Sequence, residues 1–163
     1  MPRDEVTSQQ GLMPSIIDRL IDPESAGTVA RYGYGVAQMT EAVRRDLEDL
    51  LNTRRAEHEV ADAFPEVQRS VVNYGLPEVV SMPALTTDQR VQIGRELERA
   101  IAYFEPRLRD VRARIVSGLN IVDRAVKFHI EGRLRVDPAP DVEFETVLEL
   151  STGRSTVTAA STS

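Results

Sequence analysis

The sequence of 163 residues contains no cysteine and only two histidines, His58 and His129. The absence of cysteine excludes a disulfide framework and a thiolate metal site, and it fits a reducing compartment such as the cytoplasm. Neither histidine has a partner at ligand spacing, so we predict no metal site and no cofactor. The chain also lacks a glycine-rich phosphate loop and a Gly-x-Ser-x-Gly elbow, two common signatures of catalytic sites.

Long apolar runs are also missing. No stretch approaches the roughly 20 apolar residues that a membrane-spanning helix needs, and residues 1–5 do not resemble a secretory signal. We therefore predict a cytoplasmic protein without direct membrane insertion. The formal net charge of −6 argues against a general nucleic-acid binder, which would present a basic surface.

The charge is unevenly distributed. Between residues 105 and 136, eight basic residues oppose four acidic ones, whereas the rest of the chain is acidic. This basic strip is either a solvated sheet face, paired with acids elsewhere in the fold, or a docking face for an acidic protein partner. The candidate docking residues are Arg112, Arg114, Lys127, Arg133 and Arg135.

Two segments in the first two thirds of the chain have apolar residues three and four positions apart, as in amphipathic helices. The first helix is predicted from Val36 or Thr40 to Leu51. The second begins after Thr86, which is spaced from Gln89 as in a capping box. Shorter helices are predicted within residues 14–21 and within 65–75, the latter ending at a glycine suited to a left-handed cap.

After Pro106 the apolar period changes from about 3.6 to 2, as in strands. Residues 126–136 and 142–150 read as two half-buried strands whose polar faces are mostly basic and acidic, respectively, which favours antiparallel pairing. An earlier strand is predicted at about 107–116. Leu108 lies out of phase with it, so a bulge is expected near Arg109 or Asp110.

These patterns predict an α+β fold. We expect an antiparallel meander of about three strands in the C-terminal half, packed against N-terminal amphipathic helices. Residues 1–13 are expected to be a flexible N-terminus and residues 14–150 a single domain. The Ser/Thr-rich residues 151–163 are either a tail or an edge strand.

The junction between the long helix and the first strand carries Glu105, Pro106 and Arg107. Proline ends the helix at about Glu105, because it lacks an N–H and clashes with the preceding turn. A carboxylic acid used in catalysis, as in a peptidoglycan hydrolase, needs an apolar setting free of charge. Arg107 would instead favour the ionised carboxylate if the two pair. We therefore predict a structural ion pair and no catalytic residue.

Three segments resemble TssE, the baseplate wedge subunit of bacterial type VI secretion systems, and its phage-tail relatives. They are Leu-Glu-Asp-Leu-Leu-Asn-Thr-Arg-Arg at 47–55, Ser-Val-Val-Asn-Tyr-Gly-Leu-Pro at 70–77 and Phe-Glu-Pro-Arg-Leu at 104–108. The last contains the Glu-Pro-Arg signature of the family. The Leu-Leu-Asn-Thr-Arg part of the first favours the secretion branch over phage tails.

The resemblance implies a structural function in the cytoplasmic baseplate of a contractile injection machine. Its expected partners are the wedge proteins TssF and TssG, nearby TssK, and the sheath proteins TssB and TssC, whose assembly family members seed by strand exchange. Within this chain we expect the strands between Val126 and Leu150 to perform the seeding. Two alternatives remain open, a baseplate wedge protein of another contractile system and a peptidoglycan hydrolase.

Overall fold

A computed structural model describes seven parts of the chain: residues 12–21, 34–55, 64–77, 86–116, 125–136, 140–149 and 151–160. The chain divides into two compact units, residues 1–43 and 44–163, and helix α2 runs across the division. The predicted flexible N-terminus, residues 1–13, lies outside the described residues except for residues 12 and 13.

The first unit contains helix α1 (Ile16–Ile21) and the N-terminal part of α2 (Val36–Asn52). Ser15 and Asp18 bond reciprocally at the start of α1: the Asp18 N–H donates to Ser15 Oγ, and the Ser15 N–H donates to Asp18 Oδ2. This exchange satisfies two N–H groups that have no partner within the helix. A backbone bridge between Leu12 and Tyr34 lies in the same unit.

The helices of the second unit begin and end close to the predicted positions. After α2 come the short helix α3 (Pro65–Gln68), a 3-10 turn (Val71–Asn73) and the long helix α4 (Thr87–Phe104). The predicted capping box is present, with Thr86 and Gln89 each bonding the backbone N–H of the other. The apolar stripes of α2 and α4 are buried, and Leu47, Leu50, Leu97 and Ile101 are at most 2% exposed.

Four strands form one antiparallel sheet in the order β1-β2-β3-β4. The strands are β1 (Leu108–Ile115), β2 (Ala125–Leu134), β3 (Asp141–Glu149) and β4 (Arg154–Ala159). Alternate residues of β2 and β3 are buried on one face, including Phe128 and Phe144. Helix α4 packs on β1. The helix also comes close to β2, since a methyl group added to Gly94 would lie 3.8 Å from the Phe128 ring. The α+β prediction is confirmed.

The predicted bulge is present in β1. Arg109 pairs with Arg133 and Arg112 with Glu131, so two residues of β1 lie opposite Gly132 alone. Asp110 has a φ of 56°, a left-handed conformation uncommon outside glycine. The extra residue changes the phase of the strand. This is why Leu108 can be buried while the polar residues after the bulge stay exposed.

Two details of the strand prediction need correction. The sheet has four strands instead of about three, because β4 forms within the Ser/Thr-rich end. The strands expected to seed the sheath, between Val126 and Leu150, do not lie at an edge of the sheet, because β2 and β3 are its central strands and β1 and β4 flank them. Isolated alternating patterns do not reveal which strands lie at an edge.

The opposed charges of β2 and β3 meet only in part. Arg133 pairs with Asp141 in register, and Arg133 Nε lies 2.7 Å from Asp141 Oδ1. By contrast, Glu131 lies opposite Glu143, with His129 Nε2 3.8 Å from a Glu131 oxygen and 3.6 Å from a Glu143 oxygen. Among the helices that the structure describes, none is long and apolar enough to cross a membrane.

Candidate interaction site

The three segments that carry the family resemblance meet in the second unit. The first two join through backbone hydrogen bonds: the Leu76 N–H donates to the Thr53 carbonyl at 2.9 Å, and the Arg55 N–H donates to the Leu76 carbonyl at 2.8 Å. Gly75 makes this approach possible. Its φ is 103°, and an added Cβ would lie 2.3 Å from the Thr53 oxygen. Only glycine fits such a position without a backbone shift.

The second and third segments meet through aromatic rings. The rings of Tyr74 and Phe104 lie edge to face with their centroids 5.2 Å apart, an arrangement favoured by the ring quadrupoles. Tyr103 packs against Phe104 in the same way at 6.4 Å, and the Arg69 guanidinium lies 6.0 Å from the Tyr103 ring centre. The end of α4 therefore packs against the residues that flank the 3-10 turn, Arg69 before it and Tyr74 after it.

The ion pair at the junction is closely matched and joins a buried carboxylate to a partly exposed guanidinium, since the side chain of Arg107 is 21% exposed. Glu105, 3% exposed, is the C-terminal cap of α4. Glu105 Oε1 accepts hydrogen bonds from the Arg107 backbone N–H at 3.1 Å and from Arg107 Nε at 2.6 Å, and Oε2 accepts one from Nη2. The guanidinium thus binds both oxygens of one carboxylate, the geometry for which arginine is suited.

Arg107 also binds a carboxylate from a distant part of the chain. Its Nη2 lies 2.5 Å from Asp46 Oδ2, on helix α2. The other Asp46 oxygen accepts hydrogen bonds from Arg45 Nε at 3.1 Å and Nη2 at 2.7 Å. Charges of alternating sign therefore run from Arg45 through Asp46 and Arg107 to Glu105 and link α2 to the helix–strand junction.

The electrostatics follow from this arrangement. Partial burial lowers the pKa of the Arg107 guanidinium, but hydrogen bonds and attraction from Glu105 and Asp46 outweigh this, so its pKa is raised overall. Burial raises the pKa of the Tyr74 phenol, and the carboxylates of Asp49, Asp46 and Glu105 raise it further. The cluster therefore favours a charged arginine and a neutral tyrosine.

Backbone contacts fix the turn at Pro106. The Leu108 N–H donates to the Glu105 carbonyl at 3.2 Å and closes the turn. Arg135, just beyond β2, donates its backbone N–H to the Arg107 carbonyl at 2.8 Å and its Nε to the Leu108 carbonyl at 3.2 Å. Of the five candidate docking residues, Arg135 thus contributes to the junction itself.

The other four candidate docking residues lie on the outer face of the sheet. Arg112 and Arg114 extend from β1, and Lys127 and Arg133 from β2; all four are exposed. Arg114 lies 3.6 Å from Glu131, and Arg133 pairs with Asp141. The neighbouring strand β3 presents acidic side chains on this face. The basic surface is therefore confined to the part of the face that β1 and β2 form.

Both edges of the sheet receive side chains from helices. On β1, the Ala113 N–H donates to Glu98 Oε1 of α4 at 2.9 Å. On β4, the Asn52 side chain of α2 bonds both the N–H and the carbonyl of Ser155. Such contacts occupy groups that would otherwise pair with another strand.

These contacts define a structural class, an α+β scaffold in which buried charges and rings join three segments of the chain. Among the described residues, no group of histidines and carboxylates forms a metal site. A family model described as baseplate wedge protein gp25 matches residues 37–139. The chain belongs to this baseplate wedge family, whose matched region contains all three segments. No curated protein and no solved structure gives a significant match.

Two contributors to the site escape sequence analysis. Asp46 lies 61 positions before Arg107, and on the polar face of α2 it is indistinguishable from its charged neighbours. Asn52 lies within a resemblance segment, but no local pattern indicates its contact with Ser155, 103 positions later. Both depend on how the elements pack.

Proposed function

We propose that the chain is the wedge subunit of a type VI secretion baseplate. In this role it binds TssF and TssG next to TssK, at the cytoplasmic face of the inner membrane. Family membership supports the baseplate wedge class, and the Leu-Leu-Asn-Thr-Arg segment favours the secretion branch. The observation that carries the proposal is that the three resemblance segments meet. Backbone bonds join Thr53 and Arg55 to Leu76, and the Tyr74 ring packs on Phe104, next to the Glu105–Arg107 pair.

A scaffold needs a rigid surface whose parts keep fixed positions when a partner binds. The Arg107 bonds to Glu105 and Asp46 hold α2 against the start of β1, and the bonds around Gly75 hold the loop after α2. The four exposed basic residues of β1 and β2 then offer a face for an acidic partner. Co-expression with TssF and TssG, followed by gel filtration, tests this binding.

We also propose that the chain is not an enzyme. A peptidoglycan hydrolase needs an acid, and the best candidate in this chain is Glu105. Its side chain is buried at 3% exposure, and its oxygens already accept three hydrogen bonds from Arg107. A general acid must be within hydrogen-bond reach of its substrate. Purified protein should not cleave peptidoglycan between acid and neutral pH. Turnover that Glu105→Gln abolishes would overturn this part of the proposal.

Seeding of the TssB–TssC sheath is the most specific part of the proposal. Strand exchange requires an edge, so it must use β1 or β4 and displace any side chain bound there. Successive N–H groups of a strand alternate in direction, and those of Ala113 and Ser155 point away from the neighbouring strand. The N–H groups of Ile115 and Ala159 therefore point outward too. Proline at either position removes an outward donor and leaves the hydrogen bonds within the sheet intact. Labelled sheaths counted by fluorescence microscopy should become rarer with one of these variants. Normal numbers with both would contradict seeding by strand pairing.

The second candidate is a wedge protein of another contractile, phage-tail-like machine. The description of the matched family names a baseplate wedge protein and does not mention secretion. Family membership therefore supports both candidates to the same degree. The two candidates differ in partners. Recovery of TssF and TssG with the chain from its native cells supports secretion, and recovery of phage-tail components supports the alternative.

A further inference from the structure

A polar cavity of about 570 Å³ lies between the end of helix α2 and the turn that joins β3 to β4. Four of its lining residues belong to the first resemblance segment, residues 47–55, and the other three are residues 152–154. Apart from Gly153, every lining residue has a polar or charged side chain. Pockets that bind small molecules are mostly apolar, so this lining is better suited to a charged segment of another protein.

The cavity carries charges of both signs in equal number. Glu48 and Asp49 lie on the α2 side with Arg54 just beyond the helix, and Arg154 lies on the side of the turn. The Glu48 carboxylate is paired with Arg44 at 2.7 Å. Asp49 and Arg154 are exposed, and among the described residues neither side chain makes a hydrogen bond or an ion pair. A free carboxylate and a free guanidinium therefore line the same cavity.

Hydrogen bonds fix the two sides of the cavity relative to each other. The Asn52 amide of α2 bonds both the N–H and the carbonyl of Ser155, the residue after Arg154. The Gly153 N–H donates to the Glu149 carbonyl at 2.7 Å and closes the turn. Because both sides are held in place before a partner arrives, binding costs little ordering of the cavity itself.

We propose that this cavity receives a segment of a partner protein that carries a basic side chain for Asp49 and an acidic one for Arg154. A ligand of one sign is attracted by one of these groups and repelled by the other, whereas a segment with both signs pairs with both. Helix α2 has no basic residue in its last turn, so its negative C-terminal end also favours a cation beside Asp49. The proposal rests on the proposed baseplate function and adds to it a contact outside the basic face of β1 and β2.

The test exchanges the two charges while the net charge stays the same. A variant with Asp49→Arg and Arg154→Asp should bind the TssF–TssG complex with a Kd at least about ten-fold higher at low salt, because like charges then face each other. The difference should shrink at high salt. The matched control is Glu66→Arg with Arg95→Asp, two exposed residues outside the cavity. This control also keeps the net charge, and its Kd should equal that of the original chain.

The outcomes separate this proposal from the baseplate assignment. If the original chain binds TssF–TssG and the cavity variant binds equally well, or if both charge exchanges weaken binding alike, the cavity proposal is overturned and the baseplate assignment stands. An original chain that does not bind the complex contradicts the assignment and the proposal together. If thermal melting shows that the cavity variant is unfolded, the neutral variants Asp49→Asn and Arg154→Gln decide instead. Each should weaken binding about three-fold, and an unchanged Kd for both would overturn the proposal.

Discussion

Arg107 and Asp46 lie 61 positions apart in the chain, yet Arg107 Nη2 is 2.5 Å from Asp46 Oδ2. Because the same guanidinium binds the buried Glu105, this contact connects the Glu-Pro-Arg turn to helix α2. Arg107 belongs to the local Glu-Pro-Arg signature. It thus binds one carboxylate within that signature, Glu105, and another on a distant helix, Asp46.

The first prediction concerns the ion pair at the junction. Arg107→Ala leaves the Glu105 carboxylate buried without its cation, and we expect a loss of about 3–5 kcal/mol in the free energy of unfolding. Urea denaturation followed by circular dichroism measures it. Arg99→Ala is the control, because Arg99 pairs with Glu96 while 62% exposed, and it should change stability by less than about 1 kcal/mol. Similar losses in both variants would contradict the structural role of Arg107.

The second prediction concerns the connection between Arg107 and Asp46. In a double-mutant cycle, Asp46→Ala should destabilise the original chain more than it destabilises the Arg107→Ala variant. We expect a coupling free energy of about 1–2 kcal/mol, because the two side chains are in direct contact. The same cycle with Glu48 in place of Asp46 should give no coupling, since Glu48 pairs with Arg44 instead. Additive losses for Asp46 and Arg107 would show that the contact contributes nothing to stability.

The third prediction concerns Gly75. Gly75→Ala forces a positive φ on a residue with a Cβ, and that Cβ would lie 2.3 Å from the Thr53 oxygen. A loss of about 3 kcal/mol is expected from backbone strain, measured as a lower midpoint of thermal unfolding. Gly94→Ala is the matched control. Its Cβ would meet the Ala113 oxygen at an ordinary 3.5 Å, and alanine favours the helix, so this variant should be at least as stable as the original.

The fourth prediction concerns alkaline pH. The pKa of Tyr74 is raised in the folded protein, whereas in the unfolded chain it is about 10. The unfolded state therefore loses the proton first as pH rises, so stability is full below about pH 10 and falls as pH rises through the folded pKa. Tyr74→Phe should show a smaller decrease in unfolding free energy between pH 9 and 11. Identical pH profiles would mean that Tyr74 does not contribute.

The fifth prediction concerns the basic face. Reversing Arg112 and Lys127 to glutamate should weaken binding to an acidic partner, with an effect that shrinks at high salt, while the melting temperature stays unchanged. Arg135 is unsuitable for this test because it bonds the junction. Glu145→Lys on the acidic strand of the same face is the control and should not weaken binding. A salt-independent loss would indicate a contact of another kind.

The sequence contains local signals for much of the fold. Pro106 predicts the end of α4, the Thr86–Gln89 spacing predicts its start, and the phase of Leu108 predicts the bulge. Each depends on residues a few positions apart. The contacts of Asp46 and Asn52 depend on packing between residues that lie 61 and 103 positions apart, and no local pattern encodes them. The central position of β2 and β3 depends on which strands pair, which the alternation within each strand does not show.

The most direct test of the baseplate assignment is co-expression of the chain with TssF and TssG, followed by gel filtration and mass determination. We expect a complex that contains all three proteins, and the Arg112→Glu, Lys127→Glu variant should yield less of it at low salt. A folded chain that elutes alone while TssF and TssG elute together would contradict the central claim.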